Sequence, residues 1–110
     1  MPVFALLVEF QGDPPSEELL AAHRDWLFPQ FERGVFILTG GLEAVPGRSP
    51  SALAIMTADS IAAAESVIAG DPLVQAGRSV CQVVPYTVRV RAADLDTFFG
   101  DDTKAIDRTS

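Results

Sequence analysis

One cysteine, one histidine, one tryptophan and one tyrosine are all that this chain of 110 residues holds of those four types. With Cys81 alone no intrachain disulfide can form, and a chain without bridges suits a reducing compartment. His23 and Cys81 lie far apart in sequence, so a zinc set of ordinary composition is not expected, and no metal is. Positive charge is scarce too. Eight Lys and Arg against fifteen Asp and Glu give a net charge of −7, which argues against attachment through nucleic acid phosphates or anionic lipid. A small-molecule or protein partner fits better. No apolar run approaches a membrane span. The run Val3 to Val8 lacks a basic flank and stops at Glu9, so it does not have the form of a signal peptide, and the cytoplasm is the expected location. Glycine-rich phosphate loops are missing as well; Gly40, Gly41 and Gly47 read as turn glycines. Haem would need a well-placed axial ligand, for which His23 alone is a poor case, and no cofactor is expected.

What is present is a globular composition, 48% hydrophobic and 21% charged, of a length for one core. Residues 3 to 10 form an apolar run closed by Gln11-Gly12-Asp13-Pro14-Pro15, which predicts a strand. Ser16 reads as the N-cap of a helix with Glu17 and Glu18 in its first turn and Gly34 as its stop. Pro29 predicts a kink, or a break after Leu27, because it lacks a backbone N–H. Val35 to Thr39, ended by Gly40-Gly41, and Ala52 to Thr57 read as a strand pair joined through the turn residues 45–50. Asp59 or Ser60 caps a second helix with Ile61, Ala64 and Ile68 as its buried stripe and Gly70 as its exit. Asp71-Pro72 starts one further helical turn. Val80 to Val90 reads as the last and longest strand, with Pro85 marking an edge or a bulge. The expected organisation is one domain over residues 1–91 and a polar tail over 92–110.

This order of elements is that of the ferredoxin-like βαββαβ motif, an α+β fold in which two helices cover one face of an antiparallel sheet. In the first strand Phe4, Leu6, Val8 and Phe10 point one way and Val3, Ala5 and Leu7 the other, so both sheet faces are apolar. The face without helices is therefore expected to pack against the same face of a second copy, giving a homodimer.

At about 100° per residue along the first helix, His23 falls beside Leu20, Trp26 and Leu27 and points inward. An enclosed imidazole needs a hydrogen-bond partner, either a backbone carbonyl, as in an ordinary core histidine, or a carboxylate that fixes its tautomer for chemistry. Asp71 before Pro72 is equally well explained as a helix cap. Cys81 on a strand reads as a buried, inert thiol unless a base activates it.

The segments Ala22-His23-Arg24-Asp25-Trp26-Leu27, Gly34-Val35-Phe36-Ile37-Leu38-Thr39-Gly40-Gly41, Ser60 with Ala63-Ala64, and Gly70-Asp71-Pro72-Leu73-Val74-Gln75-Ala76-Gly77 together resemble the YCII-related family over about residues 3–91. The resemblance implies a fold like that of muconolactone isomerase, with ferredoxin-like protomers joined as a dimeric α/β barrel. It implies a catalytic pair, a histidine that maps onto His23 and an aspartate that maps onto Asp71. Two features depart from the family pattern: Pro29 in the first helix, and Gly41-Leu42 where Gly-Pro is common. The implied chemistry is proton transfer of a lyase or isomerase on a cyclic or unsaturated acid. Trp26, Arg24 and Tyr86 are candidates to line or rim the pocket, against readings of Trp26 as core, Tyr86 as dimer packing and Arg24 as a solvated helix residue. The alternative is a non-catalytic small-molecule-binding or assembly domain of the same barrel type. A His23 nitrogen in hydrogen-bond reach of the Asp71 carboxylate, beside an open pocket, would favour the enzyme.

Overall fold

The computed structural model describes residues 2–47, 51–99 and 103–109; Arg48, Ser49 and Pro50 of the expected turn lie outside them. The elements run β1 (Val3–Phe10), α1 (Glu17–Glu32), β2 (Phe36–Leu42), β3 (Ser51–Thr57), α2 (Ile61–Ile68), α3 (Pro72–Gln75) and β4 (Ser79–Tyr86), then a 3-10 turn at Leu95–Phe98. The four strands form one antiparallel sheet in the order β2-β3-β1-β4, the ferredoxin-like arrangement expected from the order of the elements.

The helix starts are set by side chains that satisfy free backbone N–H groups. Ser16 accepts from Leu19 N at 3.2 Å and Ser60 from Ala63 N at 3.1 Å. Gly34, at φ +74°, ends α1 in the left-handed region that glycine occupies without a Cβ penalty.

Four expectations change. α1 continues through Pro29 to Glu32. Asp25, whose carbonyl a residue 29 N–H would have reached, is exposed to water, while Leu27 and Gln30 on either side of the proline are buried. β2 does not stop at Gly40-Gly41, because Leu53 and Ala52 of β3 carry the ladder past both glycines to Leu42. Ile61 is exposed, so α2 buries only Ala64 and Ile68 of the expected stripe. β4 ends at Tyr86 rather than Val90: its pairing with β1 stops at Val3 opposite Tyr86, and Pro2 before it has no N–H and gives its carbonyl to the Ala58 N–H. Pro85 sits on that edge strand, where its missing N–H costs no ladder bond to a second neighbour.

The core lies between the sheet and α1 and α2. Phe4, Leu6, Phe36, Ala54 and Met56 of the sheet pack with Leu27, Ala64 and Ile68. Met56 is 0% exposed, and a side chain of that size fully buried contributes about 1.5–3 kcal/mol. Across the helix-facing side the side chains taper by row. The row Phe36, Met56, Phe4 and Pro85 holds three large side chains, the row Thr39, Ala54, Leu6 and Val83 holds one, and the row Gly41, Ala52, Val8 and Cys81 holds none. Space is left where the row is small.

The segment 103–109 returns to the C-terminal end of α1. Thr109 donates to the Glu32 carbonyl from its backbone N at 2.7 Å and its hydroxyl at 3.0 Å, and Lys104 Nζ stands 5.6 Å from the centre of the Phe28 ring. The last turn of α1 has no basic residue of its own, so Lys104 and Arg108 bring positive charge to the negative end of its dipole.

Candidate active site

The small row opens into a cavity of about 760 Å³ between the sheet and α1, α3 and the loop after β1. Its walls are mostly apolar, with Leu6, Val8, Phe10, Trp26 and Phe36 among them, and a few polar groups converge on it, as in small-molecule sites generally.

His23 and Asp71 both line this cavity, and they touch. His23 Nδ1 is 2.8 Å from Asp71 Oδ1. The same oxygen accepts the Leu73 backbone N–H at 2.9 Å as the cap of α3. The two roles weighed for Asp71, helix cap and imidazole partner, are thus carried at once. Pro72 helps to make this possible. Its fixed φ starts α3 directly after Asp71, which aims the Leu73 N–H at the carboxylate and leaves the carboxylate little freedom to turn away from His23. The side chains are 23% and 13% exposed, enclosed enough to strengthen the contact and open enough for a ligand to reach the ring. With Asp71 accepting at Nδ1, Nε2 is the nitrogen left for a ligand.

Trp26 lines the cavity one turn along α1, its ring centre 6.0 Å from that of His23 and edge-on to Phe36 at 5.7 Å. Gly70 keeps it there, since a Cβ on that glycine would lie 3.1 Å from the indole nitrogen. Arg24 and Tyr86 are placed elsewhere. Arg24 is rotated about 100° from His23 and stands in solvent. Tyr86 pairs with Val3 on the opposite face of the sheet, so the register alone turns it away from the cavity.

Five polar lining groups were not among the expected site residues: Arg78, Ser79, Thr39, Gln11 and Asp13. Position just after a Gly77 turn was the signal available for the first two, and it says nothing about which way a side chain points. Cys81 lies on the same wall. Burial, and secondarily the Asp71 carboxylate, push its thiol up to about 11, so it stays protonated and is no nucleophile at neutral pH. Among the described residues no group of three or more His, Cys, Asp or Glu side chains comes together as a metal set, and no helix is long and apolar enough to cross a membrane.

An antiparallel βαββαβ sheet with one helix-covered face defines a ferredoxin-like protein, here with a His–Asp contact on the wall of the cavity beneath the helices. The chain belongs to the YCII-related family, whose sequence profile matches residues 3–87. No curated protein matches it. Among solved structures it is similar in fold to the 5-chloro-2-hydroxyhydroquinone dehydrochlorinase of Burkholderia phenoliruptrix in complex with 2,5-dihydroxybenzoquinone. The TM-score is 0.58 and the identity 22%, over 77% of this chain and 93% of that one.

Proposed function

We propose that this protein is a small-molecule enzyme of the lyase or isomerase type, in which His23 transfers a proton as general acid or base and Asp71 orients it. The observation that carries this reading is the 2.8 Å contact between His23 Nδ1 and Asp71 Oδ1 on the wall of an open cavity. Asp71 holds the proton on Nδ1, which leaves the Nε2 lone pair free to take a proton from a ligand carbon or hydroxyl. If a leaving group then departs from the neighbouring carbon with its electron pair, the result is elimination; if the proton returns at another carbon, it is isomerisation. A ring substrate fits the flat apolar walls given by Trp26, Phe36 and Phe10. The solved relative supports the class, being by name a dehydrochlorinase and bound to a dihydroxyquinone.

Nitrogen NMR of the imidazole is the direct test. The wild type is expected to hold the Nδ1–H tautomer, and Asp71→Asn to mix both tautomers. In a turnover screen of small cyclic acids and hydroxyquinones, His23→Asn should lose about a hundredfold or more of whatever activity is found. An unchanged tautomer in Asp71→Asn removes the dyad.

We further propose a homodimer through the face of the sheet that carries no helix. Leu38, Ile55, Ala5 and Val84 form one apolar row across it, and Leu7, Leu42, Val80 and Tyr86 stand exposed around that row. A lone domain would leave this contiguous surface in water.

A further inference from the structure

The cavity has a second polar corner away from the dyad. Arg78 is the one permanent cation among its described lining residues. Its guanidinium reaches back over the loop after β1, with Nη1 donating to the Asp13 carbonyl at 3.4 Å and lying 2.8 Å from where a Cβ on Gly12 would be. Among the described residues no carboxylate stands within ion-pairing distance of it. Asp71 is already taken by His23 and the Leu73 N–H. Next to it, Ser79 is 4% exposed and its hydroxyl is buried without a hydrogen-bond partner. Ser79 pairs with Phe10, which puts both side chains on the helix-facing side of the sheet and at the cavity. A buried hydroxyl without a partner costs stability, so it is retained at a net loss unless something else supplies an acceptor. The chain's net charge of −7 repels anions at long range, so an anionic ligand would need a local cation to be held here.

We propose that Arg78 and Ser79 form an anion-binding subsite that takes a negatively charged oxygen of the substrate, carboxylate or ionised hydroxyl, and turns the ring toward His23. This deepens the reading of the site as a proton-transfer centre and rests on it for the reaction, though not for the binding. The guanidinium supplies charge and two parallel donors, and the Ser79 hydroxyl gains the acceptor that it lacks. Asp71 and Arg78–Ser79 stand at the two ends of one short segment, stiffened by α3 and by the Arg78 N–H bond to the Leu73 carbonyl at 2.8 Å. The distance between dyad and subsite is therefore fixed by local backbone structure, which suits a ligand of one size.

The test is equilibrium binding of three probes to the intact protein, followed by NMR: benzoate, 2,5-dihydroxybenzoquinone as an ionised hydroxyl, and neutral benzamide. At least one anion is expected to bind and to shift the amide signals of Arg78 and Ser79, and which one binds tells carboxylate from hydroxyl. Arg78→Met, which keeps an unbranched stem and removes the guanidinium, should weaken that anion about tenfold or more and leave benzamide unchanged. Ser79→Ala should weaken the anion severalfold while raising the melting temperature of the free protein, a pair of effects that a merely structural serine would not give. Asp71→Asn, which takes a negative charge out of the cavity, should bind the anion at least as tightly as the wild type while mixing the His23 tautomers, so failure of the dyad and failure of the subsite read out separately. Binding of neither anion, or an Arg78→Met affinity within about twofold of the wild type, overturns the proposal.

Discussion

One carboxylate oxygen, Asp71 Oδ1, accepts from both the Leu73 backbone and the His23 ring, so capping and orienting are one geometric event. A residue that does both is costly to change, since asparagine keeps an acceptor for the backbone but removes the charge facing the imidazole. The charge also acts on Cys81, whose thiol is pushed up to about 11, first by burial and then by Asp71. Because the shift is upward, the protonated thiol dominates below that value. Iodoacetamide should label Cys81 at about pH 8 roughly a hundredfold more slowly than it labels free cysteine, with the rate climbing towards pH 11. Asp71→Asn should speed the reaction, and an inflection near the ordinary thiol value would contradict this account. The linkage has a definite sign. A thiol raised from 9.0 to about 11 in the fold contributes stability that is present below pH 9.0 and lost as pH rises through about 11, because unfolding then releases a proton.

At the level of elements, α1 shows how tertiary packing overrides a local rule. A proline inside a helix costs about 3 kcal/mol relative to alanine, yet α1 runs on for three residues past Pro29. Leu27 and Gln30 are buried on either side of it, Phe28 and Phe31 pack against the core, and the segment 103–109 bonds to the last turn. Pro29→Ala should restore an N–H for the exposed Asp25 carbonyl and raise unfolding free energy by about 1–3 kcal/mol in urea titrations. No gain there would mean that the helix bends at this point in solution. β4 teaches the opposite lesson. The run to Val90 has strand composition, but a strand lasts only as long as its neighbour, and the ladder with β1 stops at Val3, before which Pro2 has no N–H to give.

On the scale of the whole molecule, the sheet is apolar on both sides while helices cover only one. Leu7 is 46% exposed and Val80 57% on the open side. Light scattering at micromolar concentration should give about twice the chain mass of 11.7 kDa, and Leu7→Asp, at the centre of that face, should return it to the monomer. A monomeric wild type would refute the dimer. How much of this could be read without coordinates follows from the range of the interactions involved. Capping serines, the positive-φ glycine after α1, the period-two alternation of β1 and the Asp-Pro helix start are set by residues a few positions apart, and these were legible, as was the inward direction of His23. The sequence by itself determined the order of the elements, and with it the ferredoxin-like sheet. Only the tertiary structure decided that Gly41, Ala52, Val8 and Cys81 fall in one row and leave a cavity, and that Arg78 and Ser79 face it while Arg24 and Tyr86 do not. It also set the 2.8 Å separation of His23 and Asp71. The physical reason is that strand register and helix docking bring together residues dozens of positions apart, and no local propensity carries that distance.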